Sequence, residues 1–524
     1  MISTKIIAIA MAVIVVAGGV AAVAIYNNNN KSTGDDDSDS VTIKPADLSK
    51  LASATLSPKL EVYGNVNGDL VIDSADATAL QAALDAGTQN QLGDYADANF
   101  DGTIDSNDVT YINQIINATV ESPVLVRHLC RYTGTGGNYY NDSYVPLNSI
   151  VMSGSANMFM MMKYLGVNSE IKGIAYSGKI DATLYPEYQT FFSDYNTTKT
   201  SGFWNNAHVA STPTHQIGGS AGYFNAELTA NKVTNQGVKA IFTCDNANSY
   251  LCGDKSGSYA GCLTESEAKA APYGLGVFRF KAASTDMTEY LSDLALMAFA
   301  LNKDPSKISN MKTWCENFFT DLNGKLTAHL GVDTNQLNVA VTSSVSYSVK
   351  NDVVSTYNYI SSSTSDYTAA AISAGGLFAL SNHDFKGSSS SAKQTDLGLW
   401  LADFTIDKII HIKTAATTGT VFSWYGGTAK TDGKETLKIA PLALSKTSAC
   451  YNNNIYMVCG DMPIILRIAY CAVVLYPEIF SDSWATDYNV SHSTQFLGMD
   501  ENTIRNGTFY VSMSDLGLDG KTMI

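Results

Sequence analysis

The sequence predicts an α/β protein: two doubly wound lobes joined by a long helix, preceded by a small all-α domain and an N-terminal transmembrane or signal segment. Three observations carry that reading. Two acidic loops of matching pattern occur near the front, each followed by an apolar helical period. Short apolar strands alternate with helical stretches from Ile150 onward. A long helix interrupts the alternation at Thr285, and the alternation then restarts. Strands separated by helices imply a mostly parallel sheet covered on both faces.

The N-terminal segment comes first in the chain. Ile6 to Tyr26 is an uncharged apolar run about as long as a bilayer is thick. Lys5 precedes it, so the positive-inside rule sends the rest of the chain outside. Ala22-Val23-Ala24 also offers a small-residue cleavage site, so an anchor (residues 1–26) and a cleaved signal both stand. No cysteine follows the run, which gives a lipoprotein anchor no support. Residues 27–56 read as a polar linker, with the acidic run Asp35, Asp36, Asp37 and Asp39.

Residues 57–120 carry the paired loops. A calcium loop needs side-chain oxygens at positions 1, 3, 5, 9 and 12, a backbone carbonyl at 7 and a turn-permitting glycine at 6. The second loop supplies Asp97, Asn99, Asp101, Asp105 and Asp108, with Thr103 at 7 and Gly102 at 6. The first supplies Asn65, Asn67, Asp69, Asp73 and Asp76, with the Val71 carbonyl at 7. It has Leu70 in place of the glycine and an uncharged Asn65 at position 1, so the expectation is two calcium sites with the first weaker. Apolar periods follow each loop: Ala77, Leu80, Ala83 and Leu84, then Val109, Ile112, Ile115 and Ile116.

This duplicated, EF-hand-like loop-then-helix unit resembles a dockerin. The resemblance implies a calcium-folded domain that plugs into a cohesin-bearing partner. The family's partner contacts, at loop positions 10 and 11, fall on Ser74, Ala75, Ser106 and Asn107.

The whole chain of 524 residues has a net charge of −16, which excludes nucleic acid as a partner, since a phosphate backbone needs clustered Lys and Arg. Acceptor sequons stand at Asn117, Asn141, Asn196, Asn489 and Asn506 and agree with an extracytoplasmic location. Eight cysteines permit disulfides there: Cys450 and Cys459 flank an eight-residue stretch, and Cys244, Cys252 and Cys262 cluster. Buried thiols are the alternative, and the pairing stays open.

The first lobe spans residues 124–284. "NSIVMSG" is a strand, "SANMFMMMKYLG" a helix stopped by Gly166, and "IKGIAYS" a strand. "TANKVTNQGVKAIFTCD" and "TESEAKAAPYGLGVFRF" each read as a helix followed by a strand, with a capping box at Thr264–Glu267. Residues 285–330 are the interlobe helices. The second lobe spans 336–524: strands "LNVAVTSSVS", "DKIIHI" and "NNIYMVCGD", a glycine-stopped helix "TAAAISAGGLFALS", and a long final helix "MPIILRIAYCAVVLYPEIF".

Taken in order, these segments resemble the substrate-binding proteins of ABC importers for iron complexes, haem and cobalamin. "SIVMSGSANMFMMMKYLG" is similar to the opening strand and helix, "STDMTEYLSDLALMAFALNKDPSKISNM" to the interlobe helix, "ISAGGLFAL" to the second-lobe segment, and "LYPEIF" to the closing motif. The extra length falls around residues 180–215 and 345–395. The resemblance implies a metal-chelate or corrinoid ligand held between the lobes and an importer permease and ATPase as partners. Candidate ligand contacts, argued from strand ends, helix starts and aromatic loops, are Ser153, Gly154, Ser155, Tyr176, Asp245, Trp424, Tyr425 and Arg467. Acidic importer contacts fall on Glu265 and Glu267 in lobe one and Asp396 in lobe two.

No GxSxG, HExxH or P-loop is present, and the seven histidines lack metal-ligand spacing. The expected function is therefore binding rather than catalysis. Two alternatives remain: a surface scaffold working through dockerin–cohesin pairing, and a dockerin-bearing polysaccharide hydrolase, which needs paired carboxyl groups.

Overall fold

The computed structural model describes residues 46, 48–131, 139–153, 156–175, 183–188, 233–244, 273–331, 336–350, 353–385, 389–393, 404–413, 424–425 and 448–521. Among these, no helix is long and apolar enough to cross a membrane; the expected N-terminal segment lies outside them.

The paired loops lead into α1 (Ser74–Asp85) and α2 (Ser106–Ile116). Each helix starts at an Asp N-cap, Asp73 or Asp105, with a reciprocal capping box to Asp76 or Asp108 three residues on. These caps satisfy amides that the first helical turn leaves without partners. The helices close on a small core of Ala77, Leu80, Ala96, Ala98 and Ile112.

A hairpin follows that the sequence reading passed over: β1 (Val124–Cys130) pairs antiparallel with β2 (Tyr139–Val145). The polar spelling of β2, "YYNDSYV", hides it. Its inner face lies on the edge of lobe one, where the His128 ring stacks on Phe278 at 4.1 Å. Lobe one proper is a four-stranded all-parallel sheet of β3 (Ile150–Ser153), β4 (Ile171–Ala175), β5 (Ala240–Cys244) and β6 (Gly276–Phe280), in the order β4-β3-β5-β6. Helix α3 (Ala156–Leu165) follows β3 and stops at Gly166, whose φ is +70°. The expected capping box at 264–267 lies outside the described residues.

Two helices join the lobes, α4 (Met287–Ala300) and α5 (Ser306–Leu330). Helix α4 is buried almost all round rather than on one stripe, as a helix packed from every side must be. Helix α5 has 25 residues, about 37 Å at the standard rise. Residues 46–62 strap across both: the Asn323 amide donates to Ala52 O (2.8 Å), Leu56 N to Glu316 (3.0 Å) and Lys59 N to Ser292 (3.1 Å). Leu56 is buried, so the end of the expected polar linker is part of the packed body.

Lobe two carries a second, larger sheet. Its strands are β7 (Asn338–Lys350), β8 (Val353–Ser361), β9 (Leu377–Phe378), β10 (Ser389–Lys393), β11 (Lys408–Lys413), β12 (Ile455–Cys459) and β13 (Tyr510–Ser512). The sheet is mixed. Strands β9, β7, β11 and β12 are parallel, whereas β8 and β10 extend it as an antiparallel hairpin arm and β13 closes the far edge antiparallel. The extra length around 345–395 thus supplies sheet as well as loop. Helix α6 (Asp366–Ser373) is shorter than expected, because Gly375 takes φ +93° and the chain re-enters the sheet at Leu377. A short turn of helix, α7 (Ser448–Tyr451), precedes β12. Helix α8 (Ile464–Leu475) is buried at every position but is not the last; α9 (Asp482–Leu497) and α10 (Glu501–Arg505) follow. Cys315 and Cys471 are buried thiols whose pKa is pushed up by burial, that of Cys471 to about 12.

Candidate functional site

The paired loops are built from their carboxylates inward. Asp76 and Asp108, at position 12 of each loop, are buried. Asp76 accepts from Val66 N (2.7 Å), Asn67 N (3.1 Å) and Asp73 N (2.9 Å). Asp108 accepts from Asn99 N (3.1 Å) and Asp105 N (2.8 Å). Burial raises both carboxyl pKa values against the pull of these amides. In the second loop Asp97 accepts from Asp101 N and Gly102 N, and Asp101 from Thr103 N and the Asn99 amide. In the first loop Asp69 accepts from Val71 N and the Asn67 amide, and Asp73 from Ala75 N.

The donor set fits a hard cation: every predicted ligand is an oxygen. One atom points the same way independently. Asn65 is 2% exposed, and its amide donates to Leu60 O and Asp69 O, yet its Oδ1 is buried with no hydrogen-bond partner. A buried acceptor left unmatched is costly unless something meets it. The carboxylates engage loop amides rather than converging, and among the described residues no group of three or more His, Cys, Asp or Glu is gathered for a metal.

The turn chemistry differs from the expectation at one point. The missing glycine at position 6 of loop one matters less than its Gly68 at position 4, which takes φ +72°. Loop two has Phe100 there at φ +50° and Gly102 at φ +91°. A non-glycine residue in that region stores strain. Phe100 is held by the Arg127 guanidinium, 4.5 Å from its ring centroid.

That contact belongs to a junction the sequence reading missed. Tyr63 N donates to Arg127 O and Leu129 N to Glu61 O, both at 2.9 Å, adding a bridge to β1. Tyr63, Tyr95 and Tyr140 meet edge to face. The aromatics Tyr63 and Tyr95, two residues before each loop, and Phe100 within the second were the available signal. Ser74, Ala75, Ser106 and Asn107 are all exposed.

Between the lobes, Tyr164 of α3 and His492 of α9 meet through the Tyr164 hydroxyl and His492 Nε2 at 3.3 Å. Burial lowers the His492 pKa to about 3, so the ring is neutral. A cavity of about 10 Å³ lies here, lined by Asn157, Tyr164, Tyr290, Ile464 and His492 among others. It has room for about one water.

The ligand candidates divide. Ser153 ends β3, between β4 and β5. Gly154, Ser155, Tyr176 and Asp245 lie outside the described residues, as do Glu265, Glu267 and Asp396. Trp424 and Tyr425 are both buried, and the Tyr425 ring stands edge-on to Phe509 at 5.2 Å. Arg467 is 1% exposed, donates to Asp366 (3.1 Å) and Gly460 O (2.9 Å), and lies 5.1 Å from the Tyr367 ring centroid. Of the sequons, Asn117 and Asn506 are exposed, whereas Asn489 is buried and Asn141 donates its amide to Val277 O.

Comparison with known families matches residues 63–117 to the dockerin type I domain. Comparison with curated protein sequences finds no match. Among solved structures, the chain is similar to a TroA-like periplasmic binding protein, FepB, from Veillonella parvula, at 14% identity over 73% of this chain and 99% of that one, with a TM-score of 0.48. It is similar to the Helicobacter pylori protein CeuE, solved with Ni(II) bound, at 11% identity over 72% and 98%, TM-score 0.41. A periplasmic heme binding protein from Pseudomonas aeruginosa aligns at 12% identity over 64% and 94%, TM-score 0.38.

The molecule is a two-lobed α/β protein, one sheet parallel and one mixed, with the paired-loop module packed on its first lobe. That module, residues 63–117, is a dockerin type I domain.

Proposed function

We propose that this chain is an extracytoplasmic solute-binding protein that captures an iron complex, haem or a cobalamin-like ligand for an ABC importer. Its dockerin domain holds calcium in two loops, the first more weakly, and the N-terminal apolar segment tethers or exports it. The observation that carries the reading is architectural. Two α/β lobes, linked by α4 and α5, face each other where α3 meets α9 at Tyr164 and His492. Ligands of open α/β sheets collect beyond strand carboxyl ends and between domains. Ser153 stands at such an end, and Gly154 and Ser155, next in sequence, are proposed contacts with it. Glu265, Glu267 and Asp396 are the proposed contacts to the importer.

The test is titration of the full chain with cobalamin, haem and ferric siderophores, followed by tryptophan quenching. Trp314 reports on the interlobe region, its ring 4.9 Å from that of His492. Saturable micromolar or tighter binding of one ligand class supports the reading and names the cargo. Binding to none of them sinks it. A scaffold working through a cohesin-bearing partner would then lead, favoured by the exposure of Ser74, Ala75, Ser106 and Asn107.

A further inference from the structure

The dockerin domain does not hang from the body as a separate plug. Its calcium loops are wired to the β1–β2 hairpin, and the hairpin to the lobe-one sheet. Just before loop one, the segment Glu61–Tyr63 bonds to β1 as a partial third strand. From loop two, Phe100 lies against Arg127 of β1, which is also bonded to Asp142 of β2 at 2.8 and 3.0 Å. From the helix behind loop two, the Tyr111 hydroxyl donates to Leu125 O at 2.8 Å. The hairpin's other face continues into β6: His128 stacks on Phe278, the Asn141 amide donates to Val277 O (2.9 Å), and Arg279 Nε donates to the Tyr139 hydroxyl (2.8 Å).

Phe100 is the pivot. It sits inside the loop at position 4, at positive φ, between ligand positions Asn99 and Asp101. A loop that tightens on a cation fixes the Phe100 backbone, and a fixed Phe100 holds Arg127 and with it the hairpin. We propose that calcium loading of the loops and the stability of the hairpin and of the β6 edge of lobe one are thermodynamically coupled, so that the dockerin acts as a calcium-set clasp on the first lobe. The inference rests on the calcium reading above. Coupling of this kind is reciprocal: the factor by which calcium stabilises the hairpin is the factor by which the ordered hairpin strengthens calcium binding, so loosening the hairpin weakens calcium binding.

The experiment is hydrogen exchange by mass spectrometry on the full chain, with calcium and after chelation, beside calorimetric titration of calcium. Protection lost on chelation should extend beyond residues 63–117 into 124–130, 139–145 and 276–280. Arg127→Ala, which removes no ligand, should weaken calcium binding on the order of five-fold and confine the chelation effect to 63–117. Asp142→Asn, a milder change at the same contact, should move both readouts in the same direction. If calcium binds by calorimetry but the exchange change stays within 63–117 in the wild type, the clasp is refuted and the calcium reading survives. If no calcium binds, both fall.

Discussion

Arg131, at the end of β1, donates through Nε to the Asp293 carboxylate of α4 at 2.7 Å, and both side chains are buried. The same guanidinium meets Glu61 of the strap and lies 3.8 Å from Glu289. Lys281 closes the group, its amide donating to Asp293 and its Nζ to Glu289. Strap, hairpin and interlobe helix are thus joined at one charged knot, with three carboxylates against two cations.

Removing the central cation should be severe. Arg131→Met leaves Glu61, Asp293 and Glu289 facing one another beside Lys281 alone. A buried pair broken on one side costs about 3–5 kcal/mol. Urea unfolding of the variant at neutral pH should show a loss of that size. A loss below about 1 kcal/mol, the range of an exposed pair, would mean that the knot is wetter than its burial indicates.

The knot also sets a pH dependence. Burial, opposed by Arg131, raises the Asp293 carboxyl to about 7, and burial raises Glu61 as well. An unfolded Asp titrates near 3.9. The folded state therefore holds more protons than the unfolded state between these values, and stability falls as pH rises through that window. The contribution is complete below about pH 4 and gone above the folded value near 7. Asp293→Asn removes the linkage. Its Tm relative to the wild type should rise steadily from pH 5 to pH 8, by about 2–4 °C for each kcal/mol of linkage released. A constant difference across that range would show that Asp293 stays ionised.

The two calcium loops should not respond equally to loss of a ligand. Asp97→Ala and Asp101→Ala each remove a charged oxygen from the loop with the turn glycine, and ligand charge count tunes calcium Kd over decades. Each should weaken binding at least about ten-fold by calorimetry. Asn65→Ala removes an uncharged ligand and should weaken calcium binding less. It should still cost about 1 kcal/mol or more of stability, because the Asn65 amide holds Leu60 O and Asp69 O. Equal losses of affinity in the three variants would overturn the ranking.

What was legible in the sequence follows from what each feature depends on. Local periodicity and capping depend on near neighbours, so α1, α2, α3 and the strands β3, β5, β6 and β11 could be read directly. The position-12 carboxylates Asp76 and Asp108 were visible because loop spacing is a local rule. The hairpin β1–β2 was not, because its alternation is polar on one face and its burial comes from β6 and the dockerin, both distant in sequence. The surroundings of Trp424 and Arg467 were not legible for the same reason: only tertiary packing decides that one is fully buried and the other stands against Asp366 and Tyr367. Nothing local in "SATLSPKLEVY" announces that it straps two helices and carries Glu61 to Arg131.

The glycine stop after α6 offers a test of packing against backbone strain. Gly375 takes φ +93°, and a Cβ added there would lie 2.9 Å from Leu326 Cδ2 and 3.0 Å from Tyr476 Cε2. Its carbonyl accepts from the Gln336 amide (2.9 Å) and the Tyr476 hydroxyl (2.8 Å), so α5, α6, α8 and the approach to β7 all meet at this residue. Gly498, the αL cap of α9 at φ +63°, has nothing within 4 Å of its notional Cβ. Gly498→Ala should therefore cost only the left-handed backbone term, about 1–2 kcal/mol. Gly375→Ala adds overpacking to strain and should cost about 2–4 kcal/mol. The difference between the two in urea unfolding measures the rigidity of the Leu326–Tyr476 contact. Equal costs would mean that α5 and α8 give way freely there, and the seam between the interlobe helix and lobe two would be softer than its complete burial implies.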